Sequence, residues 1–274
     1  MKKIKFSSIL TYLFLILGAA IMVFPFFWMI TGSLKTNAEV SVYPPQWLPK
    51  SFYLGNYEFA LKTAPFAKYF LNSVIVCLAS VSVCTLTTIL GSFAFSRLRF
   101  PGRSAIFGAL LAMMMVPFEM LVITNYRTVT KWGIHDTLWA LIIPFMSSIF
   151  YTYILKNFFD SIPDALYQSA RVDGCSDWKY LWRVMVPIAK PSLVTIILLN
   201  AIASWNSFLW PMLSTNSAAT RTLPFGLYNF VTEGGAKNEV MMAAATIVVL
   251  PMLILFLFAR KYIVNGVARG GLKG

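Results

Sequence analysis

The sequence predicts an all-α integral membrane protein with six transmembrane helices, and three observations lead to this fold class. Hydrophobic residues make up 58% of the 274-residue chain and charged residues 12%, which is more apolar side chain than a water-soluble domain buries. Six nearly uncharged runs are each long enough to cross about 30 Å of hydrocarbon. Lysine and arginine, which produce a net charge of +13, lie in short clusters beside those runs, which suits lipid headgroups and argues against nucleic acid as a partner.

The apolar runs divide the chain in order. They are predicted at residues 9–30, 69–95, 104–126, 137–155, 191–213 and 240–259. The first has 22 uncharged residues and no small-residue cleavage site, so we expect an anchor that is retained rather than a signal peptide. Residues 1–68 then comprise the first transmembrane helix and an outward loop, 69–260 form one transmembrane domain, and 261–274 form a tail.

The distribution of Lys and Arg predicts the orientation of the spans. With six spans, one side carries both termini and the polar segments near residues 97–103 and 156–190, and it holds 15 of the 23 cations, against eight on the other side. Cytoplasmic segments are the ones enriched in Lys and Arg. Both termini are therefore predicted to face the cytoplasm, in a multi-pass protein of the cell membrane.

The longest polar interruption of the transmembrane domain falls at residues 160–190. The stretch 162–193, which includes the prolines that close it, is called the insert below. Pro163 and Asp164 are typical of a first helical turn, because proline lacks the N–H that is unpaired there and aspartate complements the helix dipole. We predict a short helix ending at Val172, followed by a corner at Asp173-Gly174, since glycine adopts a positive φ without steric cost.

A second short helix is predicted after the corner, with Ser176 and Asp177 as its cap. Its apolar face comprises residues at i, i+3, i+4 and i+7, namely Trp178, Leu181, Trp182 and Met185. Pro187 and Pro191 are predicted to end this helix and to start the next run, each with a bend. Two interpretations stay open here: an amphipathic hairpin that lies on the bilayer, or a knob shaped to fit another protein.

Residues for catalysis, nucleotide binding or metal binding do not occur in the patterns that those functions need. No phosphate-binding glycine loop is present, the single His135 has no matching nucleophile or metal-ligand spacing, and three cysteines make no disulfide framework. The leading hypothesis is a nonenzymatic transport subunit driven by a separate motor. The alternative is a secondary active transporter that uses Glu119, the one ionisable residue within a predicted span, as a proton site.

Polar and aromatic residues in the fifth run are candidates for a translocation path. Trp205, Asn206 and Trp210 lie close together, with Asn200 six residues before Asn206. An amide inside an apolar run faces either a cavity or a neighbouring helix. Both interpretations, a solute path and helix–helix hydrogen bonding, remain open for these four residues.

Several motifs resemble a known family. In the insert, Gln168-Ser169-Ala170, Asp173-Gly174-Cys175 and the Pro187 to Pro191 segment look like the Glu-Ala-Ala loop of permease subunits in binding-protein-dependent ABC importers. Further motifs resemble the carbohydrate-uptake class of these permeases, and in particular the maltose-type second permease. They are Tyr69-Phe70-Leu71-Asn72-Ser73, Arg97-Leu98-Arg99-Phe100-Pro101-Gly102, Trp205-Asn206 through Trp210-Pro211, Thr222-Leu223-Pro224 and the ending Gly266 to Gly274.

The resemblance implies a type I ABC importer permease fold and a sugar or oligosaccharide as substrate. It also implies three kinds of protein partner: a second homologous permease, two cytoplasmic ATPase subunits and an extracytoplasmic solute-binding protein. ATP and Mg would be used by the partner ATPase, with no cofactor bound by this chain. Gln168 stands where the family usually has Glu, which leaves shape and an amide hydrogen bond for the ATPase contact.

Residue roles follow from the resemblance in the same way. The implied ATPase-coupling residues are Pro163, Gln168, Ala170, Asp173, Gly174, Pro187 and Pro191. The implied ATPase-contacting residues of the tail are Gly270, Gly271 and Lys273.

Overall fold

The computed structural model describes residues 6–233 and 237–270, and all regular structure within them is helical. The α-helices, in chain order, are α1 Phe6–Ser33, α2 Asn37–Val40, α3 Gly55–Thr63, α4 Phe66–Ser96, α5 Arg103–Met113, α6 Phe118–Lys131, α7 Leu138–Ile142, α8 Ile149–Asp160, α9 Asp164–Val172, α10 Asp177–Tyr180, α11 Val186–Ile188, α12 Lys190–Trp205, α13 Leu209–Ser214, α14 Leu223–Glu233 and α15 Asn238–Gly270. A 3₁₀ turn at Ile143–Phe145 and a π-helical turn at Leu181–Met185 complete them.

Three helical stretches in the described part of the chain are long and apolar enough to cross a membrane: Leu10–Ser33, Phe66–Ser96 and Leu138–Asp160, the last of which comprises α7, the 3₁₀ turn and α8. The number of candidate spans rises to five if each of two bent helix pairs is counted as one span. These pairs are Arg103–Met113 with Phe118–Lys131, and Asp177–Ile188 with Lys190–Trp205. These helices confirm the prediction of a multi-span, all-α chain and the positions of its first, second and fourth apolar runs.

The third predicted run, 104–126, is not one straight helix. It is broken between Met113 and Phe118, and the two helix axes differ by 97°. Pro117 lies in the break with an extended backbone. Because proline lacks an N–H and disfavours helical geometry in the residue before it, it separates α5 from α6.

The fifth predicted run, 191–213, also differs from the structure. α12 ends at Trp205, and the last residues of the run form the separate helix α13. The expected two bends at Pro187 and Pro191 are a single bend of 80° between Asp177–Ile188 and Lys190–Trp205. The bend lies between Ile188 and Lys190, after Pro187 and before Pro191. Pro191 is in the first turn of α12, where a missing N–H costs no hydrogen bond.

The chain divides into two compact units: Met1–Phe66 with Gly226–Pro251, and Ala67–Phe225 with Met252–Gly274. In the first unit, the turn after α1 is held by Asn56, whose Nδ2 donates to the carbonyls of Ser33 and Lys35 at 2.9 and 2.7 Å. Asn37 Nδ2 donates to the buried carboxylate of Glu239 at 3.0 Å. Burial lowers the pKa of Lys35, whose ammonium group donates to the Gln46 carbonyl.

In the second unit, α4 and α8 pack closely through small residues. Ser92 Oγ donates to the Thr152 carbonyl at 2.9 Å, and a Cβ on Gly91 would lie 3.3 Å from Cγ2 of Thr152. Small side chains allow such an approach between membrane helices. Ser96 Oγ donates to Asp160 Oδ1 at 2.7 Å, so these two candidate spans end at the same level.

A loop of the second unit is anchored on Asp136, which adopts a positive φ of 56°. Its Oδ1 accepts hydrogen bonds from the backbone of Asn216 and Ser217 at 2.8 and 3.1 Å, and from the Thr220 hydroxyl at 2.5 Å. Burial raises the pKa of Asp136, but these hydrogen bonds outweigh it and bring the pKa to about 2. The carboxylate thereby joins the segment before α7 to the segment after α13.

Candidate functional site

The insert is built from two short helices that meet at a corner, as predicted. α9 spans Asp164–Val172, and α10 begins at Asp177 behind Ser176, whose Oγ accepts a hydrogen bond from the Lys179 N–H at 3.3 Å. Gly174 between them has φ +73°, a conformation that glycine adopts without strain. The Cys175 N–H donates back to the Ala170 carbonyl at 2.9 Å, which closes the end of α9.

The second half of the insert is packed into a hydrophobic core with α4, α8 and α12. The buried members of this core are Ile89, Phe93, Leu155, Phe159, Ile162, Tyr180, Leu181, Met185, Ala189, Leu193 and Ile196. Of the predicted apolar face, Leu181 and Met185 are buried, whereas Trp178 is 63% exposed and Tyr180 is buried instead. The π-helical turn at Leu181–Met185 explains the difference, because its wider turn brings residues five apart onto one face.

Arg97, at the end of α4, fixes the insert to the transmembrane helices. Its guanidinium donates to the carbonyls of Phe159 and Ile162 at 2.8 and 2.6 Å and to Asp164 Oδ1 at 2.7 Å. The Arg97 side chain is 5% exposed and that of Asp164 is 77% exposed. One arginine therefore joins the end of α4, the end of α8 and the start of α9.

A second set of polar contacts crosses the corner itself. Asp177 Oδ1 accepts a hydrogen bond from the Tyr167 hydroxyl at 2.7 Å and an ion-pair contact from Arg171 at 3.1 Å. The ring of Tyr167 packs against Tyr180 with centroids 5.0 Å apart. Burial, together with the hydrogen bond to Asp177, raises the pKa of Tyr167. α9 and α10 are thus held in one relative orientation.

The outer side of α9 is exposed. Leu166, Ser169 and Val172 lie three residues apart and all three are exposed, with Val172 at 88%. Residues three apart share one side of a helix, so this side forms an exposed ridge whose apolar members are Leu166 and Val172. Of the predicted coupling residues, Pro163, Gln168, Asp173, Gly174 and Pro187 are also exposed, while Ala170 and Pro191 are half-buried.

A small cavity lies in the second unit toward the other end of α4, about 20 Å along the helix from the core of the insert. It measures about 100 Å³ and is lined by Val76, Leu141, Phe145, Asn200, Ala203, Ser204, Ser207, Trp210, Pro211 and Thr222. The amide nitrogen of Asn200 and the hydroxyl of Thr222 are buried there without a hydrogen-bond partner among the described residues. The cavity wall therefore carries two polar groups that are unpaired within the described residues.

The four predicted path residues do not form one group. Asn200 and Trp210 line this cavity together. Trp205 packs instead against Phe70, with centroids 5.8 Å apart, and Asn206 is exposed where α12 ends. Trp210 is 2% exposed and donates from its indole nitrogen to the Ala140 carbonyl at 2.9 Å, so it forms a fixed wall.

α12 connects the insert with the cavity. Leu193 and Ile196 of its first half belong to the core of the insert. Asn200, one turn further on, lines the cavity. The helix is continuous from Lys190 to Trp205, so one helix contributes to both the core of the insert and the cavity wall.

Glu119 and Gly270 line neither of these two regions. Glu119 is exposed in the first turn of α6, with no hydrogen bond within the described part of the chain. Gly270 is the last residue of α15, whereas Gly271 and Lys273 lie outside the described residues.

Several residues that build the site were not predicted from the sequence. Arg97 enters the prediction as a topology-determining cation and as part of the Arg97 to Gly102 motif, without a structural role, although its position directly after an apolar run and before the proline-glycine turn is a usable signal. Ser207 and Thr222 line the cavity but come from segments that only the tertiary fold brings together. Tyr180 was missed because the π-helical turn changes the period of the helix.

Together these features define a multi-pass, all-helical membrane protein with a folded polar insert between its spans. The chain belongs to the family described as binding-protein-dependent transport system inner membrane component, whose model matches residues 87–269. The match includes the whole insert and most residues of the cavity.

Relatives match along nearly the full chain. The inner membrane ABC transporter permease protein YcjP of Escherichia coli (strain K12) is 34% identical over 98% of this chain and 97% of its own length. The arabinooligosaccharides transport system permease protein AraQ of Bacillus subtilis (strain 168) is 30% identical over 96% of this chain and 94% of its own.

Solved structures show the same fold. A chain from the crystal structure of a bacterial ABC transporter involved in the import of the acidic polysaccharide alginate superposes with a TM-score of 0.84 at 23% identity, over 96% of this chain and 99% of that one. A chain from the alginate ABC transporter in complex with an alginate pentasaccharide-bound periplasmic protein gives a TM-score of 0.65 at 15% identity, over 91% and 92%.

Proposed function

We propose that this chain is the membrane-spanning permease subunit of an ABC importer that moves a sugar or oligosaccharide into the cytoplasm. ATP hydrolysis in separate ATPase subunits would be coupled to transport through the insert. The observation that carries the proposal is the mechanical connection along α12, from the insert core at Leu193 and Ile196 to the cavity at Asn200. Family membership and the names of relatives that transport oligosaccharides support the substrate class.

The assembly that we propose has a second homologous permease, two cytoplasmic ATPases with their ATP and Mg, and an extracytoplasmic solute-binding protein. A periplasmic protein with bound saccharide accompanies the permease in the related alginate system. In this arrangement α15, which is 33 residues long, supplies the sixth span, and both termini face the cytoplasm. Residues 1–68 form an anchor with its outward loop, 69–260 the transport domain and 261–274 a tail that reaches the ATPases.

The transport cycle then proceeds by alternating access. ATP binding closes the ATPase dimer, and the exposed ridge of α9 at Leu166, Ser169 and Val172 moves with the ATPase cleft that holds it. Because Arg97 and the buried core fix the insert to α4, α8 and α12, the insert moves as a rigid body with these helices. The spans open outward to receive solute from the binding protein, and hydrolysis resets them.

Asn200 and Trp210 are proposed to line the path for the solute, with Trp205 and Asn206 at the end of α12 as its continuation. A cavity of about 100 Å³ is smaller than the roughly 300 Å³ at which ligand sites begin. A sugar therefore needs the cavity to be enlarged during the cycle or completed by the second permease. The unpaired amide of Asn200 and hydroxyl of Thr222 are suited to sugar hydroxyl groups.

The coupling role is tested with a matched pair of glycine variants. Gly174 and Gly133 have φ values of +73° and +72°, and a Cβ would meet no atom within 4 Å at either position. Valine at either position is therefore strained by the backbone alone. In proteoliposomes that contain the complete transporter, Gly174→Val is expected to lower solute uptake per ATP hydrolysed by at least about fivefold, whereas Gly133→Val leaves this ratio unchanged.

Two results would contradict the proposal. One is an unchanged uptake-to-hydrolysis ratio in Gly174→Val, provided that the variant protein inserts normally. The other is vanadate-insensitive uptake by this chain alone, driven by a pH gradient, which would favour a secondary transporter using Glu119.

A further inference from the structure

A groove with an excess of arginine lies between the end of α4 and the inner side of α9. It measures about 830 Å³, and its lining residues are Ser96, Arg97, Leu98, Arg99, Phe100, Arg103, Asp164, Tyr167, Gln168, Arg171 and Asp177. The residues contributed by α9 fall at i, i+3, i+4 and i+7, which is one side of a helix. Leu166 and Val172, the exposed apolar residues of α9, do not line the groove, whereas Gln168, one of the predicted ATPase-coupling residues, does.

The charges in the groove are only partly matched. Arg97 is paired with Asp164, and Arg171 with Asp177. Arg103 donates only to the backbone carbonyls of Ser96 and Leu98, at 3.4 and 3.1 Å. Arg99 is exposed and makes no hydrogen bond or ion pair within the described ranges. Two guanidinium groups thus remain without a carboxylate, and a guanidinium fork matches the geometry of a phosphate group.

The position of the groove favours a lipid as the source of that phosphate. It opens at Ser96, where two candidate spans end together at the Ser96–Asp160 hydrogen bond, so it lies at the depth of the headgroups. An aromatic cluster continues from it along the membrane helices, with Phe95 5.8 Å from Phe100 and 5.0 Å from Phe107 between ring centroids. Aromatic side chains at this depth are suited to the boundary between headgroups and acyl chains.

We infer that the groove binds the phosphate headgroup of an anionic phospholipid, held by Arg99 and Arg103, with its acyl chains against Phe100 and Phe107. The bound lipid fills the space between the end of α4 and α9 and supports the insert from that side. This site is separate from the solute path, and binding of lipid is measurable without any transport.

The test is native mass spectrometry of the full-length, detergent-purified chain, titrated with phosphatidylglycerol or with phosphatidylcholine of the same acyl chains. Phosphatidylglycerol is expected to bind preferentially. Arg99→Gln removes one unmatched cation and is expected to weaken this binding about fivefold. Gln168→Glu adds a carboxylate to the groove at nearly the same size and is expected to act in the same direction. The matched control is Arg183→Gln, an exposed insert arginine outside the groove, which is expected to bind as the parent does.

Four outcomes overturn the inference. The first is equal affinity for phosphatidylglycerol and phosphatidylcholine, and the second is a loss of lipid affinity in Arg183→Gln equal to that in Arg99→Gln. The third is displacement of the bound lipid by millimolar inorganic phosphate. The fourth is unchanged lipid affinity in Arg99→Gln together with loss of its association with the ATPase subunits. The third result would identify a site for a soluble phosphate, and the fourth a protein contact.

Discussion

Removal of the Arg97 side chain is expected to release the insert from the transmembrane helices. Arg97→Met keeps much of the aliphatic stem but removes the donors to the Phe159 carbonyl, the Ile162 carbonyl and Asp164. Arg97→Lys retains the charge, yet a single ammonium group cannot reproduce a planar fork that reaches three acceptors. Asp164→Asn removes only the ionic partner and leaves both carbonyl contacts in place.

The structure allows the three effects to be ranked. A buried carbonyl that loses its donor costs about 1–3 kcal/mol. Arg97→Met leaves the Ile162 carbonyl in this position, whereas the Phe159 carbonyl keeps the Ile162 N–H at 3.1 Å. The ion pair contributes at most about 1 kcal/mol, because Asp164 is 77% exposed and solvent screens it. Arg97→Met is therefore expected to destabilise the insert by about 2 kcal/mol, Arg97→Lys by less, and Asp164→Asn by under about 1 kcal/mol.

Thermal unfolding of the purified variants measures stability, and ATPase activity in the reconstituted transporter measures coupling. We expect Arg97→Met to retain basal hydrolysis but to lose its stimulation by liganded binding protein. The reasoning is refuted if Asp164→Asn is as destabilising as Arg97→Met, since the ion pair rather than the carbonyl contacts would then hold the insert. It is refuted as well if Arg97→Met unfolds at the parent temperature and is stimulated normally.

Three further outcomes follow from individual contacts. The pKa of Asp136 in the folded protein is about 2, below its ordinary value of 3.8, so the stability that this carboxylate contributes is present above about pH 4 and is lost as pH falls through about 2. Asp136→Asn should remove this pH dependence of stability, measured by unfolding followed by tryptophan fluorescence. A pH profile equal to that of the parent would contradict this prediction. Trp210→Phe leaves the buried Ala140 carbonyl without its donor and should destabilise the protein by about 2 kcal/mol, measured by the same assay; no loss would indicate that water replaces the indole. Met185→Ala, at a site that is 0% exposed, should lower the free energy of unfolding by about 3 kcal/mol. Trp178→Ala should lower it by under about 0.5 kcal/mol. Equal losses of stability in the two variants would contradict the observed packing.

Local chemistry in the insert was predictable from the sequence. Asp164, Gly174 and Ser176 act through their own backbone or that of close neighbours, so residue type and order were sufficient to predict α9, the corner and the start of α10. The positions of the uninterrupted spans were predictable for a related reason, since length and hydropathy alone determine whether a helix can cross a bilayer.

Features that depend on distant segments were not predictable in the same way. Hydropathy does not show whether a helix continues in the same direction. The residues on both sides of the 97° break beside Pro117 were therefore predicted as one continuous run. Arg97 takes its acceptors from residues 62 to 67 positions away, and no local pattern specifies them. Asn200 and Trp210 were recognised by residue type, but only the fold shows that they share a cavity from which Asn206 is excluded.

Direct contact between the ridge of α9 and an ATPase subunit is the most immediate test of the coupling role. In a Cys175→Ser background, Val172→Cys introduces a thiol at a position that is 88% exposed, and Tyr43→Cys introduces one at a predicted outward position that is 92% exposed. With a thiol-to-amine cross-linker in intact membranes, we expect Val172→Cys to form an adduct with the ATPase subunit and Tyr43→Cys to form none with it. An adduct at Tyr43→Cys, or none at Val172→Cys while the transporter remains assembled and active, would contradict the proposed coupling role of the insert.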